Sequence, residues 1–368
     1  MLNNLQVLRA LAATGVVLAH IATLNEAVLM PWLGWGTAGV DLFFVISGFV
    51  MVYTTAGKPV GPGQFMLNRI IRIVPLYWAL TIAVFAIALV APALLQSTQA
   101  SWFDLARSLL FIPFQKNGGL IQPVLFLGWT LNYEMFFYAL FALSLALPTL
   151  RLRIGIMSVL LAALVLAGLW LRPAATIPLF YTSPLLLEFA FGMALAFLYC
   201  RSEFSRWSRL WPWGLLAAGA LLGPVIAAVR PDAHSLIARG IPAAFIVWAA
   251  VMFEAQGKSY GDRFLLLIGA ASYALYLSHP FAFIPLEMLA RGAALTSGWV
   301  LLPVAAAELA VILAVAVLVH LGLERPMTQW LRARTSGRRT SEARALWPWR
   351  LRAPPAGDSR GDKSARGD

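Results

Sequence analysis

Arg9, His20, Asp41, Glu134, Glu188, His279, Glu308 and His320 are ionisable side chains set inside long apolar stretches. A charge at the centre of a membrane-length helix disfavours insertion by roughly 2.5–3.5 kcal/mol, so such residues point to pairing, proton handling or a polar substrate. Arg9 and His20 stand eleven residues apart. On a helix they fall within roughly 20° of one face and ~16 Å apart along the axis. One stripe thus carries a guanidinium toward one membrane surface and an imidazole toward the other. Asp41, near the start of the next apolar stretch, is expected at the depth of His20. A carboxylate accepting from one imidazole nitrogen would fix the tautomer and leave the other nitrogen as a general base. The plainer account of Asp41 is a first-turn acid favoured by the helix dipole.

Arg69 and Arg72, in LNRIIRIVPLYW, lie three apart and share a helix face. Paired guanidinium forks suit phosphate groups, although anchoring by cytoplasmic cations also accounts for them. Glu134, in GWTLNYEMFFY, must meet a cation such as Arg9, hold a proton or face a wet cavity. Ser272, Tyr276 and His279, in ASYALYLSHPF, form one polar stripe, and Pro280 is expected to open a break whose freed carbonyl faces a cavity. His320 reads as an interfacial residue, Glu188 and Glu308 as packing partners. The single cysteine, Cys200, excludes an internal disulfide framework and a cysteine metal site. No Walker loop, HExxH or GxSxG occurs in its proper context, and no spacing supports a bound metal or cofactor.

The chain that must position these groups is 60% hydrophobic and 12% charged over 368 residues. That charge content is about half the usual share of a soluble domain. Apolar runs of the length that crosses a bilayer recur from end to end, which predicts an all-α polytopic membrane protein. About ten helices are expected, near 5–24, 38–56, 73–95, 121–147, 154–171, 182–200, 210–229, 237–254, 264–289 and 298–323. The stretch 101–114 is too short to span and is expected at the interface. The first helix reads as retained, because Arg9 interrupts the run where a cleaved leader would have its apolar core. Arg107, Lys116, Arg172, Arg230, Arg239 and Arg291 fall in one set of loops. Lys58, Arg69, Arg72, Arg151, Arg153, Arg201, Arg206, Arg209, Lys258 and Arg263 fall in the other, with the basic C-terminus. The second set is the richer, so both termini are expected on the cytoplasmic side of a bacterial inner membrane. The formal charge of +12 is thus a topology signal shared among membrane-flanking loops, not a nucleic-acid surface. A transmembrane domain over 1–330 is expected, followed by a basic tail over 331–368 that lies on anionic lipid and is too polar to fold alone.

Seven segments stand in order on these spans: LRALAATGVVLAH, GVDLFFVISGF, RIIRIVPLYW, WTLNYEMFFY, LEFAFGM, SYALYLSHP and LERP. Over about residues 3–330 the chain resembles the acyltransferase-3 family, especially its exopolysaccharide O-acetyltransferase branch. That resemblance implies transfer of an acyl group, commonly acetyl, from cytoplasmic acyl-CoA to a hydroxyl of a surface or exported carbohydrate. It implies His20 as the catalytic histidine with Arg9 its partner in the motif, and Arg69 and Arg72 as the pair that meets the donor's phosphates. Asp41 and Glu134 join His20 as catalytic candidates, and Ser272, Tyr276 and His279 are candidates for the passage or the acceptor. Some relatives carry a C-terminal hydrolase-like domain, which does not follow here. The same buried polar stripe would also serve a transporter of a polar solute or lipid-linked sugar, or a structural partner in a polysaccharide assembly complex.

Overall fold

The computed structural model describes residues 2–24, 34–95, 98–116, 118–201, 204, 207–230, 232–292 and 300–335. Among them every regular element is helical, and a lone bridge between Gln115 and Ile121 is the only strand-like pairing. In chain order these are α1 (Asn3–Leu24), α2 (Gly39–Thr55), α3 (Pro62–Val90), α4 (Trp102–Leu109), α5 (Trp129–Ser144), α6 (Leu150–Leu171) and α7 (Thr176–Tyr181). There follow α8 (Leu186–Cys200), α9 (Trp211–Val229), α10 (Ile241–Ala255), α11 (Arg263–Ala270), α12 (Ser272–Gly292), α13 (Leu301–Val319) and α14 (Arg325–Thr335).

Among the described residues eight helical stretches are long and apolar enough to cross a bilayer, and α11 with α12, bent by 75° at Ala271, can make a ninth. The protein is therefore a multi-pass membrane protein. The fourth expected helix, 121–147, is only partly helical. α5 covers 16 residues, or about 24 Å, short of the ~30 Å hydrocarbon core. Residues 121–125 are irregular because Pro123 has no N–H to donate and Gly118 and Gly119 adopt left-handed backbone just before them.

Three further expectations are corrected. α3 begins at Pro62 rather than 73, since proline is well suited to a first helical turn, so Arg69 and Arg72 lie two turns inside it. The break in the ninth span is at Ala271 and not at Pro280, which sits within continuous helix. The last span runs unbroken over 34 residues from Leu302 to Thr335, through a π turn at His320–Glu324. Helix thus continues past the tail boundary placed at 331, and residues 336–368 lie outside the described ones. The stretch 101–114 holds only the short α4, with Trp102, Phe103 and Leu110 exposed.

Close approach of α2 and α8 organises the middle of the bundle. The missing side chain of Gly48 lets α2 touch the Phe189 carbonyl, and that of Gly192 lets α8 touch the Val45 carbonyl. Small residues at such crossings are how helices pack where lipid offers no hydrophobic drive. Phe44, Phe189 and Phe137 then stack in a row, with ring centroids 4.8 and 4.4 Å apart. Gly36 and Gly39 clasp the entry of α2 onto α1 in the same way, against Gly15 and Ala12.

Gly48→Val forces a branched side chain into the Phe189 carbonyl and is expected to cost about 1–3 kcal/mol or more. Gly155→Ala meets nothing within 4 Å and should leave stability unchanged or slightly raised. Thermal unfolding of the detergent-solubilised variants checks the contrast.

Candidate active site

A cavity of ≈130 Å³ opens inside the bundle where α1, α2, α3, α5 and α12 meet. Its polar lining comes from Arg9, Arg69, Arg72, Glu134, Tyr138 and Ser272. Ser47, Thr130 and Tyr276 complete it, against an apolar wall that includes Phe43 and Phe44. Four helices separated by up to 263 residues thus deliver the arginines, the glutamate and the serine to one space.

Most of the polar groups there are held by another. Arg9 donates from Nη2 to Ser272 Oγ (2.9 Å). Tyr138 Oη donates to Glu134 Oε2 (3.0 Å) and accepts from Ser47 Oγ (2.8 Å). Glu134 also lies in electrostatic reach of Arg9, Arg69 and Arg72, which is the cationic company its sequence context required. Arg72 makes an ion pair with Glu324, whose other oxygen receives a hydrogen from His320 Nδ1 (2.7 Å). Arg69 makes no ion pair among the described residues, and its guanidinium rests over the rings of Phe65 and Tyr138 at 5.5 and 6.0 Å. Guanidinium groups therefore outnumber the carboxylates Glu134 and Glu324 around this space, leaving it receptive to an anion.

The two histidines sit beside the cavity rather than on its surface. Tyr276 connects them to it: its hydroxyl is 3.1 Å from Thr130 Oγ1, and its ring centroid is 6.5 Å from His279. The His279 ring lies 4.9 Å from that of His20, and Phe126 closes the other side of His20 at 5.9 Å. His20 Nδ1 is 2.8 Å from the Val16 carbonyl, and His279 Nδ1 is 2.9 and 3.2 Å from the carbonyls of Tyr276 and Leu275. A carbonyl only accepts, so each ring donates from Nδ1, and in the neutral form Nε2 is its basic nitrogen. The Tyr276 carbonyl is the one that Pro280 deprives of its helical donor, and His279 supplies the replacement. His279 Nε2 is buried and has no partner among the described residues.

One expected contact is absent. Asp41 does not meet His20; its Oδ2 lies 3.7 Å from Arg239 Nε, and the Glu188 carboxyl is beside it. Asp41 opens α2 on the side facing α8 and the turn before α10, whereas His20 faces α12. Equal depth on adjoining helices did not determine facing direction. The remaining expected residues divide between the arginine-rich cavity (Arg9, Arg69, Arg72, Glu134, Ser272, Tyr276) and the imidazole pair next to it (His20, His279). His320, expected at the interface, belongs to the Arg72 network instead. Sequence reasoning missed Ser47, Thr130, Tyr138, Arg239 and Glu324 as partners. Ser47, Tyr138 and Glu324 stand in GVDLFFVISGF, WTLNYEMFFY and LERP, so a signal existed for them; Arg239 carried none beyond its charge. No group of three or more histidine, cysteine, aspartate or glutamate residues among the described ones has a metal-site arrangement.

Residues 2–321 match the model of a protein family described as "Acyltransferase domain". An "Exopolysaccharide production protein ExoZ" of Rhizobium meliloti (strain 1021) is 38% identical over 251 residues, covering 67% of this chain and 76% of that protein. The "Acyltransferase MdmB" of Streptomyces mycarofaciens is 28% identical over 297 residues, 72% of this chain and 70% of that one. A "Putative membrane-bound transacylase BcsY" of Komagataeibacter xylinus is 30% identical over 172 residues, 42% and 40% of the two chains. No solved structure matches the chain.

Glu324 is buried, and removing its carboxylate takes a partner from both Arg72 and His320. Glu324→Ala is expected to destabilise the folded protein by about 3 kcal/mol, the low end for breaking a buried pair. Glu188→Gln keeps its shape and a side-chain donor for Asp41, so it should cost less than Glu324→Ala. Thermal melts in one detergent compare them.

Proposed function

This chain belongs to that acyltransferase family and is a membrane acyltransferase; we propose that it moves an acyl group, acetyl in the first instance, from cytoplasmic acyl-CoA to a hydroxyl of a surface or exported carbohydrate. The observation that carries this reading is the joining of a guanidinium-lined cavity to a pair of imidazoles through Tyr276. An anionic donor and a hydroxyl acceptor need those two environments side by side. The exopolysaccharide assignment of the Rhizobium relative supports a glycan acceptor. The protein would sit in the bacterial inner membrane with both termini in the cytoplasm, the orientation favoured by the distribution of lysine and arginine.

In this mechanism Arg69 and Arg72 receive the donor's phosphates, with Arg9 deeper along the same passage. Glu134, held by Tyr138, keeps its carboxylate within electrostatic reach of all three guanidiniums. The acceptor hydroxyl gives its proton to His20 Nε2, which the Val16 carbonyl holds ready by occupying Nδ1–H. The freed oxygen attacks the thioester carbonyl. The C–S bond then breaks, and the imidazolium returns its proton to the departing thiolate, so the products are an ester and a neutral thiol. Asp41 has no part in orienting His20 and is instead a partner of Arg239 and Glu188.

His20→Ala is expected to lower transfer by about 10²–10⁴-fold while the protein still inserts; mass analysis of surface glycans from cells carrying each form is the test. Unchanged glycan acylation would show that His20 is not the base. The Arg69→Ala/Arg72→Ala pair should weaken labelled acetyl-CoA binding by about tenfold or more, one charge-assisted hydrogen bond being worth about 1.5–3 kcal/mol. A transporter of polar solutes would be indifferent to that change. Direct transfer also predicts that no acyl-histidine can be trapped chemically during turnover.

A further inference from the structure

The chain between α3 and α5 is irregular apart from α4 and short 3₁₀ turns, yet it folds back along the C-terminal half of α3. Trp102 packs on Phe85 with centroids 4.8 Å apart. Trp78 Nε1 donates to the Leu109 carbonyl (2.9 Å) and Tyr77 Oη to that of Ser108 (3.1 Å). At about 1.5 Å per residue this zone lies ~8–20 Å along α3 from Arg72. Irregular backbone beside a spanning helix is tolerated where it is buried in protein or lines a wet cavity.

A second cavity, of ≈60 Å³, opens there. Phe114 and Val124 form its buried floor, and Gln99 and Gln115 stand exposed at its mouth. Between them Asp104 and Lys116 face the same space, close enough to interact electrostatically but without closing an ion pair. Lys116 Nζ spends one hydrogen on Thr98 Oγ1 (3.0 Å), which itself donates to the Val124 carbonyl (3.3 Å). Burial lowers the Lys116 ammonium to about 8, with Asp104 opposing, so this cation is short of acceptors.

We infer that this cavity is the acceptor subsite, holding one edge of a sugar ring by adjacent hydroxyls bridged between the Asp104 carboxylate and the Lys116 ammonium. A hydroxyl donates to the first and accepts from the second, which neither a simple anion nor a simple cation can do. The volume corresponds to about four waters, so ring hydroxyls would take over places that water occupies. A short stretch of backbone links this cavity to the imidazoles. Val124 is in its floor, and Phe126, two residues and at most ~7 Å further on, packs on His20 at 5.9 Å. A sugar held there brings its neighbouring hydroxyl or its neighbouring residue toward His20. This subsite rests on the reading of the protein as an acyltransferase acting on carbohydrate.

The test uses the full chain in lipid discs with methyl glucoside, methyl galactoside and methyl mannoside as probes. Saturation-transfer NMR reads their binding, and labelled acetyl-CoA binding is measured in parallel. Saturation transfer to at least one hexoside is expected, weakened by about tenfold or more in Lys116→Met and in Asp104→Asn. Acetyl-CoA binding should stay unchanged in both variants, which also reports that they fold. Hexoside binding that survives both substitutions, or is absent from the unsubstituted protein, overturns the subsite. Loss of acetyl-CoA binding by the unsubstituted protein overturns the acyl-transfer reading instead, and hexoside binding that still depends on Lys116 and Asp104 would then stand by itself.

Discussion

The cost of keeping guanidinium groups inside an apolar helical bundle governs this structure. Arg9, Arg69 and Arg72 come from two helices and converge on one cavity, where each must meet a hydrogen-bond acceptor, a carboxylate or an aromatic face. Ser272, Glu134, Glu324 and the rings of Phe65 and Tyr138 meet that need. These partners lie on α3, α5, α12 and the turn before α14, so satisfying the arginines ties together segments far apart in the chain. Pairing of this sort is weak evidence for stability, since desolvation offsets much of the attraction. Its stronger consequence is a preorganised anion-receptive space with guanidinium in excess, in surroundings where water does little to screen it.

The imidazoles illustrate a different economy. Neither His20 nor His279 relies on a carboxylate for its tautomer. Each donates Nδ1–H to a carbonyl of its own helix, one turn back. At His279 that carbonyl is spare because of Pro280, so one side chain repairs a helix defect and presents Nε2 at the same time. The nearness of the two rings makes them one unit with respect to charge, since a proton on either opposes a proton on the other.

The stretch between α3 and α5 serves both cavities. Leu127 O and Thr130 hold the Tyr276 hydroxyl, Phe126 covers His20, and Val124 floors the Asp104–Lys116 pocket. Gly128 allows this by passing against the Tyr77 ring where a side chain would collide. One short irregular connection therefore sets the spacing between the imidazole pair and both polar spaces.

Multi-span architecture follows from composition alone, because only helices satisfy their own backbone in hydrocarbon. The buried ionisable residues were legible for the same reason: a charge in an apolar run is conspicuous, and Arg9, His20, Glu134 and His279 all proved to lie at or beside the cavities. The spacing of Arg69 and Arg72 correctly placed them on one face. Helix ends were less legible, as Pro62, Ala271 and the 121–128 segment demonstrate, since local signals compete there with packing. Partner choice was not legible at all for Asp41. Depth follows from counting residues along a helix, but the direction in which a side chain points depends on how each helix is rotated against its neighbours. The glycine contacts of α2 with α1 and α8 set that rotation, turning Asp41 toward Arg239 and leaving His20 to His279.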